Sequence, residues 1–309
     1  MSAAGRLADA GTKAAILVEA LPYLRRFAGA VVVVKHGGAV GGDLAGFAQD
    51  VVLLASVGLH PVVVHGGGPQ IGAWMARLGK EAVFVDGMRV TDAETLEIAR
   101  MVLVGKVNRE LVSALNVHGP LAVGLSGEDA GLIRASVHPG GLGYVGEVES
   151  VDPTILRRLL SEGLIPVLAT IGCDAAGQAY NINADLVAGA VAEALGAEKL
   201  VYLTDVEGLR RDLADPSTLC PHLSLAELEE MLSSASLRGG MRPKASSAAQ
   251  ALRKGVGSVH VLDGRLPHAL LLEVFTDSGV GTMVTVGGAG ITAGGAGTAP
   301  GVSGAGGAQ

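Results

Sequence analysis

The side chains able to do chemistry in this sequence gather after short apolar runs. Lys35-His36-Gly37-Gly38 follows the run 31–34, and His65-Gly66-Gly67-Gly68-Pro69-Gln70 follows the run 61–64. Glycine lets backbone N–H groups come close to an anion, and a neighbouring lysine adds a full positive charge. Pro69 suits the first position of a helix, so the second segment reads as a tight strand-to-helix turn with free N–H groups aimed at a ligand. It is not a Walker A loop, because no Gly-Lys-Ser/Thr follows, and it is not G-x-G-x-x-G, because the last position is Ile71. Two glycine turns behind two strands favour a shared anion site over two ordinary turns.

Three further clusters carry charge or amide groups. In the segment 87–92 (GMRVTD), Thr91 can cap a helix. Arg89 is either a surface arginine or the grip on a carboxylate through a two-pronged hydrogen bond. In Asn181-Ile182-Asn183-Ala184-Asp185, an extended approach puts the alternating Asn181, Asn183 and Asp185 on one side. Asp185 near a helix start has a plain capping reading, and a functional one in which it orients lysines or a metal-bound phosphate. Gly239-Gly240-Met241-Arg242-Pro243-Lys244 is again a glycine turn into a helix. A lysine in the first helical turn opposes the dipole, which hints at an anionic ligand, although a solvated lysine accounts for it too. No Ser–His–Asp order, no metal-type His/Cys spacing and no recognisable carboxylate pair is present, so no protein-held metal site is expected. His36 and His65 default to packed or solvated imidazoles.

The elements that must position these groups are legible as alternation. Short β-branched runs at 30–34, 60–64, 122–125, 165–169, 199–203 and 258–262 have continuous apolar character rather than strict alternation, as strands covered on both faces do. Amphipathic stretches at 44–56, 69–78, 91–115, 185–195 and 243–254 lie between them. This order predicts a three-layer α/β sandwich with a mainly parallel open sheet, whose ligands sit beyond the carboxyl ends of the strands. The segment 12–27 reads as a helix capped by Thr12, with Ile16, Ala20, Tyr23 and Phe27 on one stripe and a kink or break at Pro22. Residues 1–11 read as frayed and 287–309, nearly all small residues, as a flexible tail. The turn-rich run 171–178 (IGCDAAGQ) is the expected lobe boundary.

Composition narrows the class. The 309 residues carry 23 Lys+Arg against 30 Asp+Glu, a net charge of −7, which disfavours a sequence-independent nucleic-acid binder. Apolar residues at 49% exclude a mostly disordered chain. No run reaches the roughly 18–20 apolar residues of a membrane helix. With no secretory signal and only Cys173 and Cys220, a cytoplasmic protein with reduced thiols is expected.

Together and in order, the motifs KHGG, VVVHGGGPQI, GMRVTD, NINAD, EKLVYLTDVEGL, GGMRPK and HVLDGRLPHALLLEVFTDSGVGTM resemble the N-acetylglutamate kinases, a branch of the amino acid kinase family, over about residues 12–286. The resemblance implies transfer of a phosphoryl group from ATP, with Mg²⁺, to the side-chain carboxylate of N-acetyl-L-glutamate in arginine biosynthesis. It implies that Lys35 and Lys244 flank the transferring group and that Asp185 holds both lysines. It implies that Gly37, Gly38, Gly67 and Gly68 supply backbone donors, that Arg89 clamps the substrate's α-carboxylate, and that Asn181 and Asn183 line the substrate site. A lobe at 29–172 is then expected to bind acetylglutamate and dimerise, and a lobe at 173–286 to bind ATP. The helix at 12–28 is similar to the one that interlaces dimers into a hexamer, a trimer of dimers, in arginine-inhibited members. Lys199, His268, Glu273 and Gly279 lie in segments resembling their site for L-arginine.

One departure stands out: where the family reads Tyr-Gly-Gly-Asn-Ala-Met after the lysine, this chain reads His36-Gly37-Gly38-Ala39-Val40-Gly41, and the loop before Phe47 is about three residues short. The rival readings are a sister kinase for N-acetyl-2-aminoadipate, since one methylene discriminates only about 10–200-fold, and a catalytically weak arginine-binding paralogue. An aspartate kinase is disfavoured, because a regulatory domain would have to follow Val286.

Overall fold

The computed structural model describes residues 3–38, 43–85, 87–212, 215–234, 237, 240–276 and 279–287, with side chains from Ala14 onward. The chain opens with α1 (Ala3–Phe27), β1 (Val31–His36), α2 (Leu44–Ser56), β2 (His60–His65) and α3 (Gly68–Arg77). A two-stranded hairpin, β3 (Phe84–Val85) and β4 (Met88–Arg89), leads to α4 (Ala93–Arg100), a π-helical turn Met101–Val107, α5 (Asn108–Asn116) and β5 (Ala122–Ser126). Next come β6 (Ile133–Val137), β7 (Val145–Val151), α6 (Thr154–Ser161), β8 (Ile165–Ala169), β9 (Ile171–Cys173) and β10 (Ala179–Ile182). The last part holds α7 (Ala184–Leu195), β11 (Lys199–Thr204), β12 (His222–Ser224), α8 (Leu225–Ser233), α9 (Met241–Arg253), β13 (Ser258–Asp263), α10 (Ala269–Phe275) and β14 (Thr282–Thr285).

The main sheet has eight strands in the order β12-β14-β13-β11-β1-β2-β8-β5, and only the β13–β14 pair is antiparallel. All six expected strands lie in it. Strand alternation sorts their side chains into two cores. Val33, Val62, Val64 and Tyr202 pack with α7, α8 and α9. Val32, Val34, Val63 and Val201 pack with α2, α3, α5 and α10. The same parity aims the polar residues at the strand ends: Lys35 follows Val33 toward α7, while His36 follows Val34 and packs on Phe47 of α2, ring centroids 4.5 Å apart.

The second sheet was not foreseen. Strands β10, β7, β6 and β9 close a small barrel. The run 171–178, expected as a lobe boundary, is the β9–β10 hairpin, with Tyr180 paired to Gly172. Side-chain caps account for the helix starts. Asp43 accepts from Gly46 N at 2.7 Å and Asn183 from Asp185 N at 2.8 Å, while Ser224 and Glu227 form a reciprocal box at α8.

Two expected caps are corrected. Asp92, not Thr91, caps α4 by accepting from Thr95 N, while the Thr91 hydroxyl donates inward to Arg89 O at 2.8 Å. Thr12 lies inside α1, which is helical from Ala3 and continues through Pro22; of the segment 1–11 expected to fray, residues 3–11 are helical and residues 1–2 lie outside the described residues. The apolar stripe of α1 also divides. Tyr23 and Phe27 are buried on the chain's own core, whereas Ile16, Leu17, Val18 and Leu21 face solvent. Of the expected flexible tail 287–309, residues 288–309 lie outside the described residues, and no described helix is long and apolar enough to cross a membrane.

Candidate active site

The site assembles where β1, β2 and β10 end. Lys35 is the fifth residue of β1, and its Nζ lies 3.0 Å from Asp185 Oδ1. Asp185 sits in the first turn of α7, directly after the Asn183 cap. From the other side Lys244, in the first turn of α9, donates to Asp185 Oδ2 at 2.9 Å. Residues 35, 185 and 244, far apart in sequence, thus share one carboxylate. Lys244 is only 4% exposed and Asp185 7%. Burial by itself pushes the Asp185 carboxyl up, but the charges of Lys244 and then Lys35 outweigh it and hold the pKa below the usual value. Burial lowers the Lys244 amine, with Asp185 opposing. The triad carries one net positive charge.

The cleft beside this triad encloses about 220 Å³ and is lined by the expected Lys35, Gly38, Gly67, Gly68, Arg89, Asn181, Asn183 and Asp185. The turns are tightly packed where glycine stands: a Cβ at Gly67 would lie 2.7 Å from Leu103 Cδ2, and one at Gly38 3.1 Å from Pro69 Cδ and 3.3 Å from Gly67 Cα. Gly37 is buried directly before Gly38 but does not line the cleft. Arg89 is not a surface residue, being 7% exposed. Its guanidinium donates to Gly68 O at 2.8 Å, contacts Met75 Sδ at 3.2 Å and lies over the Phe84 ring at 4.6 Å. Burial lowers its pKa, which leaves an arginine charged at neutral pH. Asn181 reaches Thr91 Oγ1 at 3.4 Å.

Several lining residues have no role in the sequence reading. Phe84 comes from the β3–β4 hairpin with Gly87 and Met88 of the motif GMRVTD, and the Asp86-Gly87 dipeptide after the apolar run 83–85 signals that hairpin. Ile71, Leu103, Val145 and Thr170 have no signal beyond being apolar or small. Residues 39–42 of the shortened loop and Gly239 of the last glycine turn lie outside the described residues.

Of the second group, three of four residues come together, around a histidine that was overlooked. Lys199 Nζ lies 3.2 Å from His260 Nε2 and 4.7 Å from the Phe27 ring centroid. His260 Nδ1 contacts Glu273 Oε1 at 2.7 Å, and Glu273 Oε2 accepts from Val280 N at 2.9 Å, beside Gly279. Burial, then Lys199, lowers the His260 pKa to about 4, so a neutral ring accepts from Lys199 and donates to Glu273. Burial lowers Lys199 to about 8.

His268 is not in this cluster. Its ring pairs instead with Asp50 of α2 at 2.6 Å. That bond and the Asp50 charge raise the His268 pKa above 6.5. A raised histidine adds stability below its unfolded pKa and loses it as pH rises through the folded value. The ring is half exposed, so the expected effect is small: the melting temperature of the wild type should fall by about 1–2 °C more than that of Asp50→Asn between about pH 6 and pH 9. Equal slopes in a differential scanning experiment would remove the contribution.

Ammonium groups, glycine turns and a buried arginine at the carboxyl ends of parallel strands make a site for moving a negatively charged group onto an anionic acceptor. The comparisons agree. The model of the Amino acid kinase family matches residues 30–263, and the chain belongs to that family. The acetylglutamate kinase of Symbiobacterium thermophilum is 54% identical over 284 residues, covering 88% of this chain and 97% of the relative. That of Nostoc sp. is 51% identical over 277 residues, with 88% and 93% covered. Among solved structures, the N-acetylglutamate synthase from Neisseria gonorrhoeae is similar in two complexes, each covering 88% of this chain. With coenzyme A and N-acetyl-glutamate the TM-score is 0.78 at 32% identity, and with coenzyme A and L-arginine 0.77 at 30%. This chain spans 63% and 65% of the length of those synthase chains.

Proposed function

We propose that this chain is an acetylglutamate kinase. The γ-phosphoryl group of ATP passes to the side-chain carboxylate of N-acetyl-L-glutamate, giving N-acetyl-L-glutamyl 5-phosphate and ADP. The observation that carries the reading is the single carboxylate of Asp185 holding Lys35 and Lys244 beside a cleft that also contains Arg89. The acceptor has an intrinsic pKa of about 4.3 and is ionised at neutral pH, so no general base is needed. A carboxylate oxygen attacks Pγ as the bond from Pγ to the bridging oxygen breaks, and ADP leaves with the electron pair. The barrier lies in bringing an anion to a polyanion and in the charge spread over the phosphoryl oxygens.

Lys35 and Lys244 are placed to neutralise that charge, and Asp185 keeps both amines from drifting into solvent. Gly38, Gly67 and Gly68 offer backbone donors, with Gly37 shaping the same turn. Arg89 holds the acceptor's α-carboxylate, with Asn181 and Asn183 beside it. Mg²⁺ would neutralise the phosphates as part of the ATP complex, held chiefly by phosphate oxygens, because both oxygens of Asp185 already face lysines. The lobe at 29–172 takes the acceptor, with Asn181 and Asn183 reaching it from the start of the lobe at 173–286, which otherwise takes the nucleotide. A coupled assay of ADP release with acetylglutamate, acetylaminoadipate or no acceptor tests the reading. Turnover confined to acetylglutamate is expected, and turnover with acetylaminoadipate alone, or with neither, would replace it.

Feedback by L-arginine extends the proposal. Lys199, Glu273 and Gly279, with His260 in the position expected of His268, form a partly buried acidic and basic cluster against Phe27 of α1, and a related synthase is complexed with L-arginine. The exposed Ile16, Leu17, Val18 and Leu21 fit a helix that pairs with a neighbour's to build a hexamer, a trimer of dimers, in the cytoplasm. Activity is expected to fall with added L-arginine and to be insensitive in Glu273→Gln. A dimer by light scattering, or indifference to millimolar arginine, would remove regulation while leaving the kinase.

A further inference from the structure

A backbone N–H is a preorganised donor only if its peptide plane is held, and the glycine turn at 66–68 has no side chains of its own to hold it. A buried polar group directly precedes that turn: His65, the last residue of β2, has no exposed surface. By strand parity its ring faces α5, away from Asp185. Burial, only partly offset by its bond to the Gly66 carbonyl, holds its pKa at about 4, so the ring is neutral at neutral pH and carries one proton.

Which nitrogen carries it follows from Asn108, the first residue of α5, also fully buried. Asn108 Nδ2 lies 2.8 Å from Val167 O and 3.4 Å from Leu125 O, and Arg109 donates to its Oδ1. Two carbonyls on one side and a guanidinium on the other leave a single orientation for the amide, with its NH₂ toward the carbonyls. The same Nδ2 lies 3.1 Å from His65 Nε2. An amide nitrogen only donates, so Nε2 accepts and the proton sits on Nδ1. Nδ1 is 3.1 Å from Gly66 O.

In a trans peptide the C=O and the following N–H point in opposite directions. Tying Gly66 O back to His65 therefore turns Gly67 N–H toward the cleft. The π-helical turn Met101–Val107 presses on the same glycine, with Leu103 and Val107 side chains where a Cβ would fall, and it ends at Asn108. An inserted turn of this kind is frequent at functional sites because it re-registers the residues that follow.

We infer that His65 is a positioning residue for phosphoryl transfer: Asn108 fixes its tautomer, and its Nδ1 proton locks the Gly66–Gly67 peptide so that the Gly67 amide meets the developing negative charge. This rests on the phosphoryl-transfer reading above. The test compares His65→Asn with His65→Gln in the full chain. An asparagine amide nitrogen falls near the Nδ1 position and a glutamine one near Nε2, so only the first keeps a donor to Gly66 O. His65→Gln is expected to lower kcat about 10–10²-fold, with KM for ATP and acetylglutamate within about threefold of wild type. His65→Asn should recover most of that loss at a similar melting temperature.

Equal losses in both variants, or losses that track melting temperature, would overturn the inference. The tautomer is read separately by ¹⁵N NMR of the wild type. A pyrrole-like Nδ1 supports the brace and a pyrrole-like Nε2 refutes it, whatever the assay shows. An absence of acetylglutamate-dependent turnover in the wild type would count against the kinase instead.

Discussion

Replacing Lys35 or Lys244 by methionine is expected to lower kcat about 10²–10³-fold, the size of losing one preorganised donor to a transition-state charge. Methionine keeps most of the stem's volume, so the loss is of charge. The two variants should differ in stability. Lys244 is the more buried, with 5% of its side chain exposed against 12% for Lys35, and its amine also lies 4.9 Å from the Tyr202 ring centroid. Breaking a buried ion pair costs about 3–5 kcal/mol when the remaining charge is left bare. Here Asp185 keeps its other lysine, so the cost should fall below that range, and Lys244→Met should lose more than Lys35→Met. Steady-state ADP release with circular dichroism on the same samples checks both points. Near-normal turnover in either variant would refute the assigned roles, and unfolding of both would place the lysines in the core rather than in the chemistry.

Arg89→Ala is expected to lower kcat/KM for acetylglutamate at least about 10²-fold, since each hydrogen bond to a charged group contributes about 1.5–3 kcal/mol and the clamp makes two. The KM for ATP should stay unchanged. Part of the loss should fall on kcat, because Arg89 also donates to Gly68 O and so steadies the second glycine turn. Arg89→Lys keeps the charge but not the fork or the stacking on Phe84, and should restore only a minor share. Titration of acetylglutamate at fixed ATP separates the effects. An unchanged acetylglutamate KM in Arg89→Ala would move the carboxylate clamp elsewhere.

Where the sequence reading failed, it failed for identifiable reasons. Strands β7 and β10 have mixed patterns, and although each pairs with its sequence neighbour, β6 or β9, the barrel closes through a distant pair: Asn181 with Val145, and Ile182 with Gly146. Such pairing leaves no local periodicity to read. The helix expected at 91–115 is helical over most of its length, but the π-turn inside it was invisible because an inserted residue shifts the apolar face without changing composition. His260 has no local signal of its own: strand parity points it into the core toward Lys199 and Glu273, partners 61 and 13 positions away.

The parallel sheet, the glycine turns at its strand ends and the charged residues in those turns are legible in the order of residues alone. Those features are local: apolar runs, caps and turn residues act over a few positions along the chain. It took the folded arrangement to show that Lys35 and Lys244 meet on Asp185, that Arg89 is buried with its guanidinium on Gly68 O, and that Asn108 sets the proton of His65. The residues in each of those contacts lie 21 or more positions apart. The geometry of each depends on how helices register against the sheet, which is a matter of packing rather than of pattern.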